Sequence, residues 1–223
     1  MSIHFQREIS NLKRMILALS ARVEESVQQA AIAIESRDNL LAAQIISNDR
    51  EIDQLEITVE EECLKILALY QPVASDLRFI VAVLKINSDL ERIGDHACNI
   101  AKRALLICQH PDFKSPVDLS NICASTLDML RLSLDALMNL DPAQAQKVLT
   151  LDDEVDQMDN DIRDRVFAAL QADPGKTEVL FSFLAASHCF ERIADNTTNI
   201  AEDVIYMTEG MIIRHGKLGE DLS

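Results

Sequence analysis

One segment constrains this chain more than any other, because it returns one hundred positions later. Leu90-Glu91-Arg92-Ile93-Gly94-Asp95-His96-Ala97-Cys98-Asn99-Ile100-Ala101 reappears as Phe190-Glu191-Arg192-Ile193-Ala194-Asp195-Asn196-Thr197-Thr198-Asn199-Ile200-Ala201. A second match sets Asp49-Arg50-Glu51-Ile52-Asp53-Gln54-Leu55 against Asp152-Asp153-Glu154-Val155-Asp156-Gln157-Met158, at an offset of 103. The repeat therefore covers more than one element, and the chain is two copies of one unit.

Each copy places an acid, three residues, then an acid, twice: Asp49/Asp53 and Glu91/Asp95, then Asp152/Asp156 and Glu191/Asp195. On a helix, positions i and i+4 share a face. In the first copy the two pairs lie at equal distances from Pro72, and in the second they lie at equal distances from Asp173-Pro174. If each proline marks the turn of an antiparallel helix pair, four carboxylates converge in each half.

The apolar spacing supports helices. Ile9, Leu12, Ile16, Leu19, Val23, Val27, Ala30 and Ile34 recur at three- and four-residue steps, predicting a first helix over about residues 5–35. Asp38 can cap a second helix that Pro72 ends, and a third runs over 74–108. Two prolines bracket polar residues between 109 and 116, which places the boundary between a repeat at 1–110 and a repeat at 111–223. Helix four opens at Leu119, helix five starts at Asp141-Pro142 and continues to about Ala172, and helix six starts at Asp173-Pro174 and ends near Gly210. Residues 211–223 read as a frayed tail. With only five Gly, five Pro and no Trp, the expectation is an all-α protein of two tandem, pseudo-symmetric three-helix bundles, elongated because a 30-residue helix spans about 45 Å.

Like charges at i,i+4 disfavour a helix slightly, and packing two such pairs together adds repulsion. Protonation, arginines such as Arg50, Arg92, Arg163 and Arg192, or bound cations can relieve it. Residue i+1 points about 100° away from residue i, so Arg92 and Arg192 face away from their neighbouring glutamates and cations are favoured. All the donors are oxygens, with Asn99 and Asn199 one turn beyond as possible additional ligands, which suits magnesium, calcium, manganese or iron. A di-iron carboxylate site typically adds Glu-x-x-His, and that pattern does not occur. His96 has Asn196 as its counterpart and His188 has Ser88, and both histidines are assigned exposed or capping roles. Neither a glycine-rich phosphate loop nor Gly-x-Ser-x-Gly nor His-Glu-x-x-His is found.

A net charge of −16 opposes direct binding to nucleic acid or an anionic membrane. The first residues lack the order of a signal peptide, and no apolar run reaches the roughly 18 residues of a spanning helix. The expectation is a cytoplasmic protein without membrane insertion. Five cysteines without a CxxC pair read as reduced core residues.

Together, the duplicated acid pairs, Gln71-Pro72-Val73-Ala74-Ser75-Asp76-Leu77-Arg78 and residues 90–101 resemble the PhoU family of bacterial phosphate-transport accessory and regulatory proteins, over about residues 5–210. The resemblance implies two three-helix bundles without catalytic activity, whose acidic motifs bind multinuclear iron or zinc clusters. The matching positions are Asp49, Asp53, Glu91, Asp95, Asp152, Asp156, Glu191 and Asp195. It also implies negative control of the phosphate-starvation regulon, with a sensor histidine kinase and the ATPase subunit of the phosphate ABC transporter as partners, and a homodimer. Asp76 and Arg78 are candidate partner contacts; the second copy has Gln171-Ala172-Asp173-Pro174-Gly175-Lys176-Thr177-Glu178 at this turn and no evident counterparts. The contrasting expectation is a metal-dependent enzyme or metal store using the same carboxylates.

Overall fold

Asp38 and Asp141 occupy equivalent places, and each starts a helix in the same way. The Asp38 carboxylate accepts hydrogen bonds from the backbone N–H groups of Leu40 and Leu41 at 3.0 Å, and that of Asp141 from Ala143 and Gln144 at 2.9 and 3.1 Å. The computed structural model describes residues 3–212. In the first repeat α1 is Ile3–Ser36, α2 Asn39–Tyr70 and α3 Ala74–Cys108. In the second, α4 is Ser120–Asn139, α5 Pro142–Val148, α6 Asp152–Ala172 and α7 Thr177–Glu209. The predicted tail falls almost wholly outside the described residues.

Two boundaries differ from expectation. The fifth helix is broken between α5 and α6, where Thr150 and Leu151 bond back only three residues, to Lys147 and Val148, while the Thr150 hydroxyl donates to the Lys147 carbonyl at 2.7 Å. A threonine that takes a carbonyl from the helical ladder competes with the helix, and the chain tightens and turns there. The sixth helix starts later than predicted, at Thr177, because Asp173 caps a single 3₁₀ turn at Pro174–Lys176 instead.

Within each repeat the helices enclose a shared stripe, but the apolar interior does not stop at the repeat boundary. One continuous core runs from Phe5 to Met207. Its centre is the packing of α3 against α7, the most extensive helix contact in the molecule. The linker is fixed from both sides: Arg37, in the α1–α2 turn, donates to the carbonyls of His110, Pro111 and Phe113, while the Phe113 ring lies 6.1 Å from that of Phe183. Residues 109–119 therefore tie the halves together.

The repeats also show how volume is shared between facing helices. A Cβ built on Gly94 would sit 3.1 Å from both Cδ1 and Cγ2 of Ile52. In the second copy the corresponding residues are Ala194 and Val155, so one carbon has moved from one side of the contact to the other. Ile52 is β-branched on a helix and has one strongly preferred rotamer, which leaves it little room to yield. Gly94→Ala is accordingly expected to destabilise by about 1 kcal/mol, the overpacking cost exceeding the gain in helix propensity. Adding Ile52→Val should restore or exceed the original stability. Chemical denaturation of both variants checks this, and a stabilised single mutant would refute it.

Candidate functional site

Because α2 turns back into α3, Asp49 and Asp53 on one helix meet Glu91 and Asp95 on the next, as the equal spacing about Pro72 predicts. Burial pushes the carboxyl groups of Asp49 and Glu91 above the usual range. The charges of Asp53 and Asp95 push both further, and that of Glu56 also acts on Glu91. The Cys98 thiol hydrogen-bonds to Asp49 and opposes the shift there. In the second repeat Asp152 and Asp156 on α6 meet Glu191 and Asp195 on α7. Burial, then neighbouring acids, raise Asp152 to about 6 and Glu191 to about 7, with Asp156 moved in the same direction.

The structure adds an acid to each cluster. Glu56 and Asp159 occupy equivalent positions three residues after Asp53 and Asp156, on the same helix face. Each is held by a buried donor from the following long helix: Asn87 donates to Glu56 Oε1 at 2.9 Å, and Ser187 donates to Asp159 Oδ1 at 2.6 Å. The recognised repeat stops one residue short of them, at Leu55 and Met158. Extending the 103-residue offset by one position would have found both.

Arginine does more here than the i+1 geometry suggests. Arg192 lies three residues before Asp195, and its Nη1 is 3.0 Å from Asp195 Oδ2. Arg92 instead reaches back to the buried Asp89, at 3.6 Å, where the second copy has Cys189. Asp89 thus draws the arginine away from Asp95, and the two clusters are not neutralised equally. Asp89 itself is raised to about 6 by burial and by the charge of Asp203.

Other singled-out residues lie beside the clusters. Asn99 accepts from Lys102 at 3.3 Å, and Asn199 hydrogen-bonds to Asp89 across the seam. His96 is half-buried in the groove between α3 and α7, neither exposed nor capping, and its Nδ1 has no hydrogen-bond partner. His188 is exposed, yet its Nδ1 is 3.1 Å from Glu191 Oε2. Asp76 lies in the first turn of α3, where a negative charge suits the helix dipole. The Arg78 guanidinium packs 3.2 Å from where a Cβ on Gly210 would lie, at the C-terminal end of α7, where a cation is equally favoured.

Carboxylate oxygens are the donor type that hard and borderline cations take. Asp152 Oδ1 and Glu191 Oε2 are buried and accept no hydrogen bond, leaving lone pairs directed away from water. Among the described residues no three His, Cys, Asp and Glu side chains already have the spacing of a metal site, so the acids share a face and a field without forming a coordination shell.

The raised carboxyl groups make the metal-free fold sensitive to pH. Each holds its proton more tightly folded than unfolded, so the folded chain binds more protons and stability falls as pH rises. The stabilisation present below about 4 is lost progressively as the pH passes through the folded values of about 6 and 7. His96, lowered by burial, works in the opposite sense as a single group. Metal-free protein should therefore melt several degrees higher at pH 5 than at pH 8, and Glu191→Gln should flatten that dependence. Equal melting temperatures at the two pH values would contradict it.

Comparisons with known proteins agree with this architecture. The family model described as the PhoU domain matches twice, at residues 16–104 and 119–204. A Pseudomonas putida protein called phosphate-specific transport system accessory protein PhoU homolog is 35% identical over 96% of this chain and 84% of its own length. A homolog of the same name from Aquifex aeolicus is 34% identical, over 96% of this chain and 97% of its own. The crystal structure of PhoU from Pseudomonas aeruginosa superposes with a TM-score of 0.89 at 34% identity, covering 93% of this chain and all of that one. Among the described residues no helix is long and apolar enough to cross a membrane. Since the family model recurs in both halves and the relatives align along nearly the whole length, this chain belongs to the PhoU family.

Proposed function

We propose that this chain is a cytoplasmic regulator of phosphate homeostasis that restrains the phosphate-starvation regulon and modulates high-affinity phosphate uptake. The observation that carries this reading is the doubled acidic helix pair on a fold shared, over nearly its whole length, with proteins named for phosphate-specific transport. In this reading the protein works as an adaptor, without a catalytic step, between the ATPase subunit of the phosphate ABC transporter and its sensor histidine kinase, and it does so as a homodimer. Two similar acidic faces on one rigid body suit a protein that must meet two partners.

Asp49, Asp53, Glu91 and Asp95 would hold metal in the first repeat, and Asp152, Asp156, Glu191 and Asp195 in the second. The bound ions, iron, zinc, manganese or magnesium, would supply positive charge at surfaces that otherwise repel themselves. The chain's own residues orient the donors: the Cys98 thiol fixes Asp49, Asn87 fixes Glu56 and Ser187 fixes Asp159.

The test is genetic and biochemical. Deleting the gene should switch on a phosphate-starvation reporter in phosphate-rich medium, and the purified protein should retain the kinase and the ATPase subunit on a column. Unchanged reporter output together with no retention of either partner would sink the proposal.

A further inference from the structure

Toward the turn of each long hairpin, the helix faces that carry the acids become apolar. On α2, Leu64 and Leu67 follow Glu60 at helical spacing, and on α3 Leu77, Val81 and Leu84 lead up to Ser88. The second hairpin repeats this with Phe167 and Leu170 on α6 and Phe181 and Leu184 on α7. At the offsets of 103 and 100, Leu64 matches Phe167, Leu67 matches Leu170, Val81 matches Phe181 and Leu84 matches Leu184. All four positions are apolar in both copies, yet the core does not account for them. The inward side of α7 is supplied by the buried Val179, Leu180 and Phe183, whereas Leu64, Phe167 and Phe181 are 53%, 50% and 53% exposed. Leu67, Leu84, Leu170 and Leu184 are half-buried beside them. Phe167 and Phe181 stand seven residues either side of Pro174, so the antiparallel pairing of α6 with α7 brings them to the same level of the hairpin. Single exposed apolar residues are ordinary, but a contiguous patch that occurs twice marks a surface built for contact.

We propose that each hairpin end is a docking face for an amphipathic helix of another protein, one with leucine-like side chains at three- and four-residue steps and lysine or arginine bordering them. A groove between two antiparallel helices takes a third helix along its length. Charge selects the occupant. Residues 56–85 contain five acids against three Lys and Arg, and residues 159–188 contain five against three as well. A helix seated on either apolar patch therefore has acids along its border, which favour basic side chains. A second copy of this chain is the poorer fit, because face-to-face pairing would set acids against acids in a molecule of net charge −16. The chain thus takes two such helices, one on each repeat. The adaptor reading above bears only on which protein presents them; the faces follow from the apolar rows.

The test titrates the full-length protein with a fluorescent synthetic peptide of about 18 residues, long enough to hold a helix, with leucine on one face and lysine along its borders. Wild type should bind two peptides per chain. Phe167→Ser/Phe181→Ser and Leu64→Ser/Leu77→Ser should each weaken one of the two sites by at least about tenfold, and the combined variant should weaken both. A peptide of the same composition in scrambled order, with the same charge and no apolar face, should bind at least about tenfold more weakly than the ordered one. Circular dichroism checks that the variants stay helical, as expected for exposed positions, and sedimentation reads their oligomeric state. Equal binding of the ordered and scrambled peptides, or unchanged binding by the combined variant, would reduce the effect to general attraction by an acidic surface and overturn the proposal. Dissociation of a wild-type dimer by the same substitutions would assign the faces to a second copy and overturn it too. Peptide binding that responds as expected, beside a phosphate-starvation reporter unmoved by gene deletion, would keep the docking faces and sink the adaptor reading alone.

Discussion

If the proposed carboxylate sites hold metal, the variant Glu91→Gln/Asp95→Asn/Glu191→Gln/Asp195→Asn is expected to fail to take up divalent metal and yet melt higher than metal-free wild type. Both effects follow from one cause. Two like charges about 4 Å apart near a protein surface repel by about 4 kcal/mol before screening, and each cluster brings several acids into one field. Burial first, and that repulsion with it, lifts Glu191 to about 7 and Asp152 to about 6. Neutral amides of the same shape remove the repulsion but offer no anionic ligand. The Arg192–Asp195 pair is sacrificed, but an exposed pair is worth only about 0.2–1 kcal/mol. After solvent screening the net gain should be on the order of 1 kcal/mol. The loss of metal affinity should exceed the roughly 10- to 100-fold that removing an outer-shell partner costs. Elemental analysis reads the metal and calorimetry the melting temperature. Full metal content in the variant would exclude these carboxylates as ligands, and a lower melting temperature would mean that they stabilise the fold directly.

Phe190→Ala should produce the largest loss of stability, about 3–5 kcal/mol from a total of roughly 5–15. Phe190 is fully buried on α7, the helix that packs against α3 across the repeat boundary and also carries Glu191 and Asp195. Its counterpart in the first repeat is Leu90, also fully buried, and Leu90→Ala should cost about 2–5 kcal/mol. Urea unfolding should show a lower midpoint with an unchanged slope. Since both repeats share one core, the loss should appear in a single transition. Two separated transitions would show that the halves unfold independently.

The helices and their pairing were legible in the sequence because the signals are local. Asp38 and Asp141 cap where short side chains can reach the next two N–H groups, and the apolar stripes of α1, α3 and α7 follow the 3.6-residue period. The convergence of the acids was legible for a different reason. Two helices carrying the same acid spacing, equidistant from a turn, must lie side by side if the turn is tight. Glu56 and Asp159 were equally within reach, but the acid changes type between copies and a search for identities ends before it.

What lay beyond local pattern was decided by contacts between distant residues. Periodicity shows that α3 and α7 each have an apolar face; it does not say that those faces meet and merge two repeats into one core. The stripe looks the same whether it is buried inside the molecule or against another surface. Asp89 takes Arg92 away from the first cluster because packing buries Asp89 at the seam, whereas Cys189 leaves Arg192 to Asp195. The Arg78 guanidinium packs against the end of α7, far away in sequence, and Arg37 holds a linker more than seventy residues on. The sequence by itself determined the repeat, the helices and the two acidic faces, since these depend on residues within a turn or two of each other. Only the tertiary structure decided how the halves join and which charges find partners, because burial and ion pairing depend on distance through space, which the spacing of residues along one chain does not specify.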